Sequence, residues 1–158
     1  MFCVGDMIAH PMHGAGVIDS IEERKMDGFV RKYYILKMPA GGMVVMIPTD
    51  STEQIGVRPI VDSAAADALM DSISSISAEM TSNWNRRYRE NMQRIKSGDL
   101  LEVARVVKGL MSRDAEKGLS TGERKMLHSA KHILISELVL SKKLTYEEVE
   151  TRIHDALA

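Results

Sequence analysis

Covalent cross-links and the usual catalytic signatures are almost entirely missing from this sequence. Cys3 is the one cysteine among 158 residues, which excludes an internal disulfide and any cysteine-based zinc cage and fits a reducing compartment. No apolar run approaches the ~20 residues needed to span a bilayer. The opening Met1-Phe2-Cys3-Val4-Gly5-Asp6 lacks a basic stretch followed by an apolar segment and a small-residue cleavage site, so a cytoplasmic chain with no membrane partner is expected. There is no phosphate-binding glycine loop, no nucleophile elbow and no His-Glu-x-x-His pattern. We therefore expect no enzymatic activity, no cofactor and no small-molecule substrate. His128 and His132 stand one helical turn apart, but no third ligand accompanies them and His10 and His13 lie far away in sequence. Helix-surface histidines, not a metal site, are the expectation.

Charge is scarce only in sum. The formal net charge is -1, yet residues 84–132 carry 12 basic against 6 acidic side chains, while residues 1–62 carry 6 against 8 and residues 63–83 carry 3 acidic and none basic. Lys and Arg gathered into one stretch of an otherwise acidic chain form an electrostatic footprint for a polyanion, with a solvated helical face as the alternative.

The first sixty residues read as short strands over Met7 to His10, Ala15 to Glu22, Phe29 to Met38 and Met43 to Ile47. Pro11 and Gly14, Asp27-Gly28, and Pro39 with Gly41-Gly42 separate them, and these residues supply turn dihedrals. Four or five strands in so short a span need strong curvature to enclose a core, which predicts a bent sheet or small open barrel of SH3-like or Tudor-like type. Such folds commonly bind other proteins. A methyl-lysine cage needs several aromatic faces, and only Phe2, Phe29, Tyr33 and Tyr34 are available here.

After Arg58-Pro59-Ile60 the pattern turns helical. We predict helices over Ala64 to Ser77 and Asn83 to Lys96, then a third capped by Asp99 with Glu102 and ending near Gly118. Ser120-Thr121-Gly122-Glu123 opens a fourth that runs to about Ser141, and a Thr145 to Glu148 box opens the last. Val103, Val106, Val107, Leu110, Ile133, Leu134, Leu138 and Leu140 form most of the apolar face. The expected class is α+β, with a β-sheet domain over residues 1–62 and an all-α domain of about five helices over residues 63–158.

Asn83-Trp84-Asn85-Arg86-Arg87-Tyr88-Arg89 places the single tryptophan beside three arginines at a helix start. Trp84 either packs beneath the adjoining loop or stands exposed among the basic side chains. In the second case the arginines suit phosphate contacts, and a flat apolar side chain among them suits entry into a minor groove.

Trp84-Asn85-Arg86-Arg87-Tyr88, Ser97-Gly98-Asp99, Arg113-Asp114, Lys117-Gly118-Leu119-Ser120 and Gly122-Glu123-Arg124-Lys125-Met126-Leu127 resemble the CarD/CdnL family of bacterial transcription regulators. The likeness continues through Val4-Gly5-Asp6, His10-Pro11, His13-Gly14, Tyr34-Ile35-Leu36-Lys37, Ile47-Pro48 and Gly56-Val57-Arg58, with only the last helix loosely matched. It implies a Tudor-like domain similar to the polymerase-interacting domain of transcription-repair coupling factor, docking on the RNA polymerase β subunit of the sigma-bearing holoenzyme. It also implies a helical domain on promoter DNA. By position, Trp84 would wedge into the minor groove at the upstream edge of the -10 element, and Arg86, Arg87, Arg113 and Lys125 would hold phosphates. Arg24 with Val44, Val45, Met46 and Ile47 would meet polymerase. Many relatives carry arginine where this chain has Met46. The resemblance further implies a monomer associated with the nucleoid through polymerase, stabilising the open promoter complex. A polymerase-binding module without direct DNA contact is the alternative.

Overall fold

Asp27-Gly28 reverses the chain in two residues, and both take positive φ, 50° and 82°. This is the pattern of a type I′ turn, whose twist matches that of paired strands. It joins β2 (Gly14–Met26) to β3 (Phe29–Lys37) in the computed structural model, which describes residues 1–39 and 41–157. With β1 (Met7–His10), β4 (Val44–Pro48) and β5 (Arg58–Pro59) they form an antiparallel sheet ordered β4-β3-β2-β1-β5. The register between β2 and β3 shifts between Ile18 and Ser20. A bulge of this kind bends its strand, and the bent sheet closes over Ile8, Ile18, Tyr34, Leu36, Met38 and Ile47. β2 runs four residues past the Glu22 limit read from the sequence, because the hairpin arms stay paired to Met26↔Phe29. A one-turn α1 (Thr52–Ile55), ended by Gly56 at φ 92°, lies between β4 and β5, where the sequence pattern predicts no helix.

The helical half contains the five expected helices, α2 (Ser63–Ser72), α3 (Trp84–Lys96), α4 (Leu100–Lys117), α5 (Thr121–Lys142) and α6 (Tyr146–Leu157). Side chains of Asp62, Asn83, Asp99 and Ser120 accept the N–H groups of Ala65, Arg86, Leu101 and Glu123, and Thr145 accepts that of Glu148. Each such cap contributes about 1 kcal/mol. α2 stops at Ser72, short of the predicted Ser77. Ser72 and Ser75 turn their hydroxyls onto nearby carbonyls, the local competition that makes serine a poor helix interior. Lys108 and Arg105 of α4 then hold the carbonyls of Ser74, Ile76 and Ser77 at 2.7 to 2.9 Å, so residues 74–77 are tied along α4.

α5 is the central helix, burying Ile133, Leu134, Ile135, Leu138 and Val139 against Val103, Val106, Val107 and Leu110 of α4, with Ile95 and Ile153 from α3 and α6. Burial of each such side chain stabilises by roughly 1.5–3 kcal/mol. Leu140, assigned to the apolar face by periodicity, is only half-buried and lies outside this cluster.

Candidate nucleic-acid and polymerase interfaces

The periodicity of α3 decides which of its residues are free. Arg87, Asn91 and Ile95, spaced by four, are buried, which turns Arg86 and Arg89 outward; Trp84 lies on the buried stripe, three residues before Arg87, and is exposed because it stands at the first turn of the helix. Trp84 is 43% exposed. Its indole stacks on Tyr88, one turn later, with centroids 5.2 Å apart and planes 20° from parallel. The Nε1–H donates to Ser120 Oγ at 3.1 Å. The ring is thus fixed from below and from one edge while keeping an open face.

Arg87 corrects the sequence reading. The residue is 2% exposed, its Nε and Nη2 donate to Glu123 Oε2 and Oε1 at 2.7 and 3.0 Å, and its Nη1 donates to the carbonyls of Thr81 and Ser82. A guanidinium used in this way is not available to a phosphate. Instead it ties the start of α3 to the start of α5, which places Trp84 beside Ser120. Arg87 first, and then the charge of Arg113, holds the Glu123 carboxyl below the ordinary carboxylate range.

Arg86 is exposed and pairs with Glu90 at 2.9 Å, one turn along the same helix. Arg113 is half-buried on α4, and its Nε has no hydrogen-bond partner among the described residues. Lys125 is exposed on α5. It lines a shallow cavity of about 190 Å³ with Tyr88, Met92, Gly122 and Met126, together with Met12 from the β1–β2 turn. Trp84, Tyr88 and Lys125 therefore lie where two helix starts meet, while Arg86, two residues after Trp84, leaves α3 on a different face. Ser120 and Glu123 were legible only as a capping box. The Ser120 cap forms, but Glu123 sends its carboxylate to Arg87.

On the sheet, register sorts the second group of residues. Arg24 faces Arg31, Ile35 faces Met46 and Lys37 faces Val44, and alternate residues of β3 point the same way. Arg24, Val44 and Met46 thus share the outer face with Met26 and Phe29, which is 76% exposed. Ile47 is a correction: its side chain is in the core, and Val45 packs against that core on the same inner side, so side-chain contacts from β4 are left to Val44 and Met46. β4 is an edge strand, and an edge offers unpaired main-chain groups to a partner. Arg24 bonds Glu22 at 2.6 Å, and Arg31 bonds Asp50 at 3.1 Å.

Four of the five histidines gather where sheet and helices meet. His10 and His13 have ring centroids 4.4 Å apart. Burial, then His13, lowers His10 to about 4, and burial, then His128 and His13, lowers His132. His10 Nδ1 accepts the Met12 N–H at 3.0 Å, which requires the unprotonated ring. A depressed histidine binds fewer protons folded than unfolded, so its stabilisation is complete above about 6.5 and is lost as pH falls toward 4. We expect the melting temperature to fall between pH 7 and pH 5. His10→Asn, which keeps an acceptor, should reduce that fall by about 2–4 °C, corresponding to roughly 1 kcal/mol. An equal fall in both proteins would show that His10 is not the titrating group.

Comparison with known proteins follows the same division of the chain. Residues 2–61 match the CarD-like/TRCF RID domain family, and residues 68–154 match the family described as CarD, C-terminal domain. "Putative transcription factor YdeB" of Bacillus subtilis (strain 168) is 38% identical over 151 residues, covering 96% of this chain and 99% of the relative. With both halves matched in order and nearly end to end, the chain belongs to the CarD family, transcription regulators that interact with RNA polymerase.

Proposed function

We propose that residues 1–62 dock on the RNA polymerase β subunit through the outer face and free edge of β4, and that residues 63–158 contact promoter DNA at the upstream edge of the -10 element. In this reading the chain acts as a cytoplasmic monomer, brought to the nucleoid by polymerase. The observation that carries it is the half-exposed Trp84, braced by Tyr88 and Ser120 close to Lys125, with Arg86 exposed on the same first turns of α3. A flat ring on a firm base can part a base step, and neighbouring cations can hold the phosphates around it. Arg113 would join them from α4.

No catalysis is needed. A ligand shifts an equilibrium by its differential affinity for two states, and parting bases costs less at a melted fork than in intact duplex. Trp84 would therefore favour the open promoter complex. Phosphate contacts position without reading bases, and the minor groove carries only a degenerate code. Promoter choice would rest with polymerase and its sigma factor.

The test is the lifetime of open complexes formed by cognate holoenzyme with no factor, with this chain and with Trp84→Ala. Prolongation lost in Trp84→Ala supports the wedge. Prolongation kept would replace it with a polymerase-binding module that does not touch DNA. Salt adds an independent measurement: neutralising two or three phosphates gives a log–log slope of binding on salt of about -2 to -3, and Arg86→Ala and Lys125→Ala should each flatten it by about one. A slope near zero would remove the phosphate clamp.

A further inference from the structure

The strand order leaves β4 open and commits the opposite edge, β5, to the helices. Arg58 on β5 donates from Nη1 and Nη2 to Glu137 Oε2 and Oε1 on α5 at 2.7 and 2.9 Å, and from Nε to the carbonyl of Gly98 at the α3–α4 corner at 3.0 Å. Glu137 Oε2 also accepts the Val61 N–H at 2.9 Å, and the residue is 1% exposed. Its neighbour Ser136 accepts the Ala15 N–H of β2 at 2.9 Å. Gly14 makes that approach possible: its φ is 95°, and a Cβ there would stand 2.5 Å from Ser136 Oγ and 3.3 Å from Ile133 Cα. One helical turn on, Ser141 donates to the Val61 carbonyl at 2.8 Å.

Modules joined by a small polar interface ordinarily turn against one another. Here a bidentate pair on a buried carboxylate, two main-chain bonds onto side chains and a contact open only to glycine meet on adjacent turns of one helix. Building on the reading of β4 as the docking edge and Trp84 as the wedge, we propose that Arg58, Glu137 and Ser136 form an interdomain latch holding the helical half in one orientation on the sheet. Arg58 and Glu137 are then positioning residues that set where Trp84 stands once the sheet has docked. A loose joint would dilute Trp84 at the bubble without altering either contact, because the effective concentration of a tethered site depends on the geometry of its tether.

The latch is read directly from the distance distribution between spin labels, using a Cys3→Ser chain labelled at Lys25→Cys on the hairpin and Glu116→Cys near the end of α4. Arg58→Lys keeps the charge opposite Glu137 but loses the planar fork and the reach to Gly98. The paired Arg58→Met/Glu137→Met removes the tie without stranding a buried charge, and it carries the test if Arg58→Lys does not fold. The parent should give one narrow distribution and the variant one at least about twofold wider. The gain in open-complex lifetime should fall about three- to tenfold in the variant, while binding to the isolated β subunit changes less than about twofold. A distribution as narrow as the parent's would overturn the latch whatever the promoter assay shows. A widened distribution with full lifetime gain would overturn its positioning role. Failure of the wedge reading is separate: it appears in Trp84→Ala, where the distribution stays narrow in either case.

Discussion

Arg87→Ala is expected to lower the unfolding free energy by about 3–5 kcal/mol, the usual cost of removing one partner from a buried ion pair. The guanidinium leaves Glu123 with two carboxylate oxygens in a 2% exposed site. The carbonyls of Thr81 and Ser82 lose their donor as well. Urea denaturation measures the loss, and at roughly 2–4 °C per kcal/mol for a chain of this size the melting temperature should drop by about 10 °C. The contrast is Arg86→Ala. Its ion pair with Glu90 is exposed, and exposed pairs of this kind contribute little to stability. Arg87→Met/Glu123→Met, which removes both charges, should recover most of the loss. Acid gives the same information by another route. Glu123 is depressed chiefly by Arg87, so the stabilisation is present above the ordinary carboxylate range and disappears as pH falls through the lowered folded value. A loss below about 1 kcal/mol for Arg87→Ala would mean that the guanidinium is free, and would return Arg87 to the phosphate-holding set.

Trp84→Ala should carry the largest functional effect. If the wedge favours the open state by even 1.4 kcal/mol, the population ratio changes about tenfold, so the lifetime with Trp84→Ala should return to within about twofold of polymerase alone. Binding to the β subunit should be unchanged, because Trp84 is on α3 and the proposed docking edge is β4. Stability should suffer less than for a buried aromatic, whose truncation costs about 3–5 kcal/mol, since Trp84 keeps 43% of its surface exposed. Trp84→Phe separates ring from anchor: it retains a flat apolar face over Tyr88 but cannot donate to Ser120, and an intermediate lifetime is expected. If Trp84→Phe behaves as Trp84→Ala, the anchoring bond matters as much as the ring. If Trp84→Ala behaves as the parent, the tryptophan is structural.

Much of this molecule follows from signals that act within a few residues. Asp27-Gly28 specifies a hairpin because its backbone tolerates positive φ. Asp62, Asn83, Asp99, Ser120 and Thr145 specify helix starts because their side chains reach N–H groups two or three residues ahead. The four-residue rhythm of α3 likewise puts Tyr88 under Trp84. The α+β class, the five helices and the placing of a tryptophan among arginines were therefore present in the chain as written.

What tertiary structure decided lies beyond that range. Arg86 and Arg87 are adjacent and chemically identical, yet one is exposed and the other buried, because Glu123 is supplied from 36 residues away. Ile47 and Met46 differ in role only through the register of β3 with β4. Arg58 finds Glu137 across 79 residues, and no local propensity encodes such a meeting. Side-chain fate at these positions depends on which surfaces are brought together and which charges must be neutralised when water is excluded. The sequence by itself determines the elements and the chemistry available to them; packing between elements determines which arginine remains free and how Trp84 is presented.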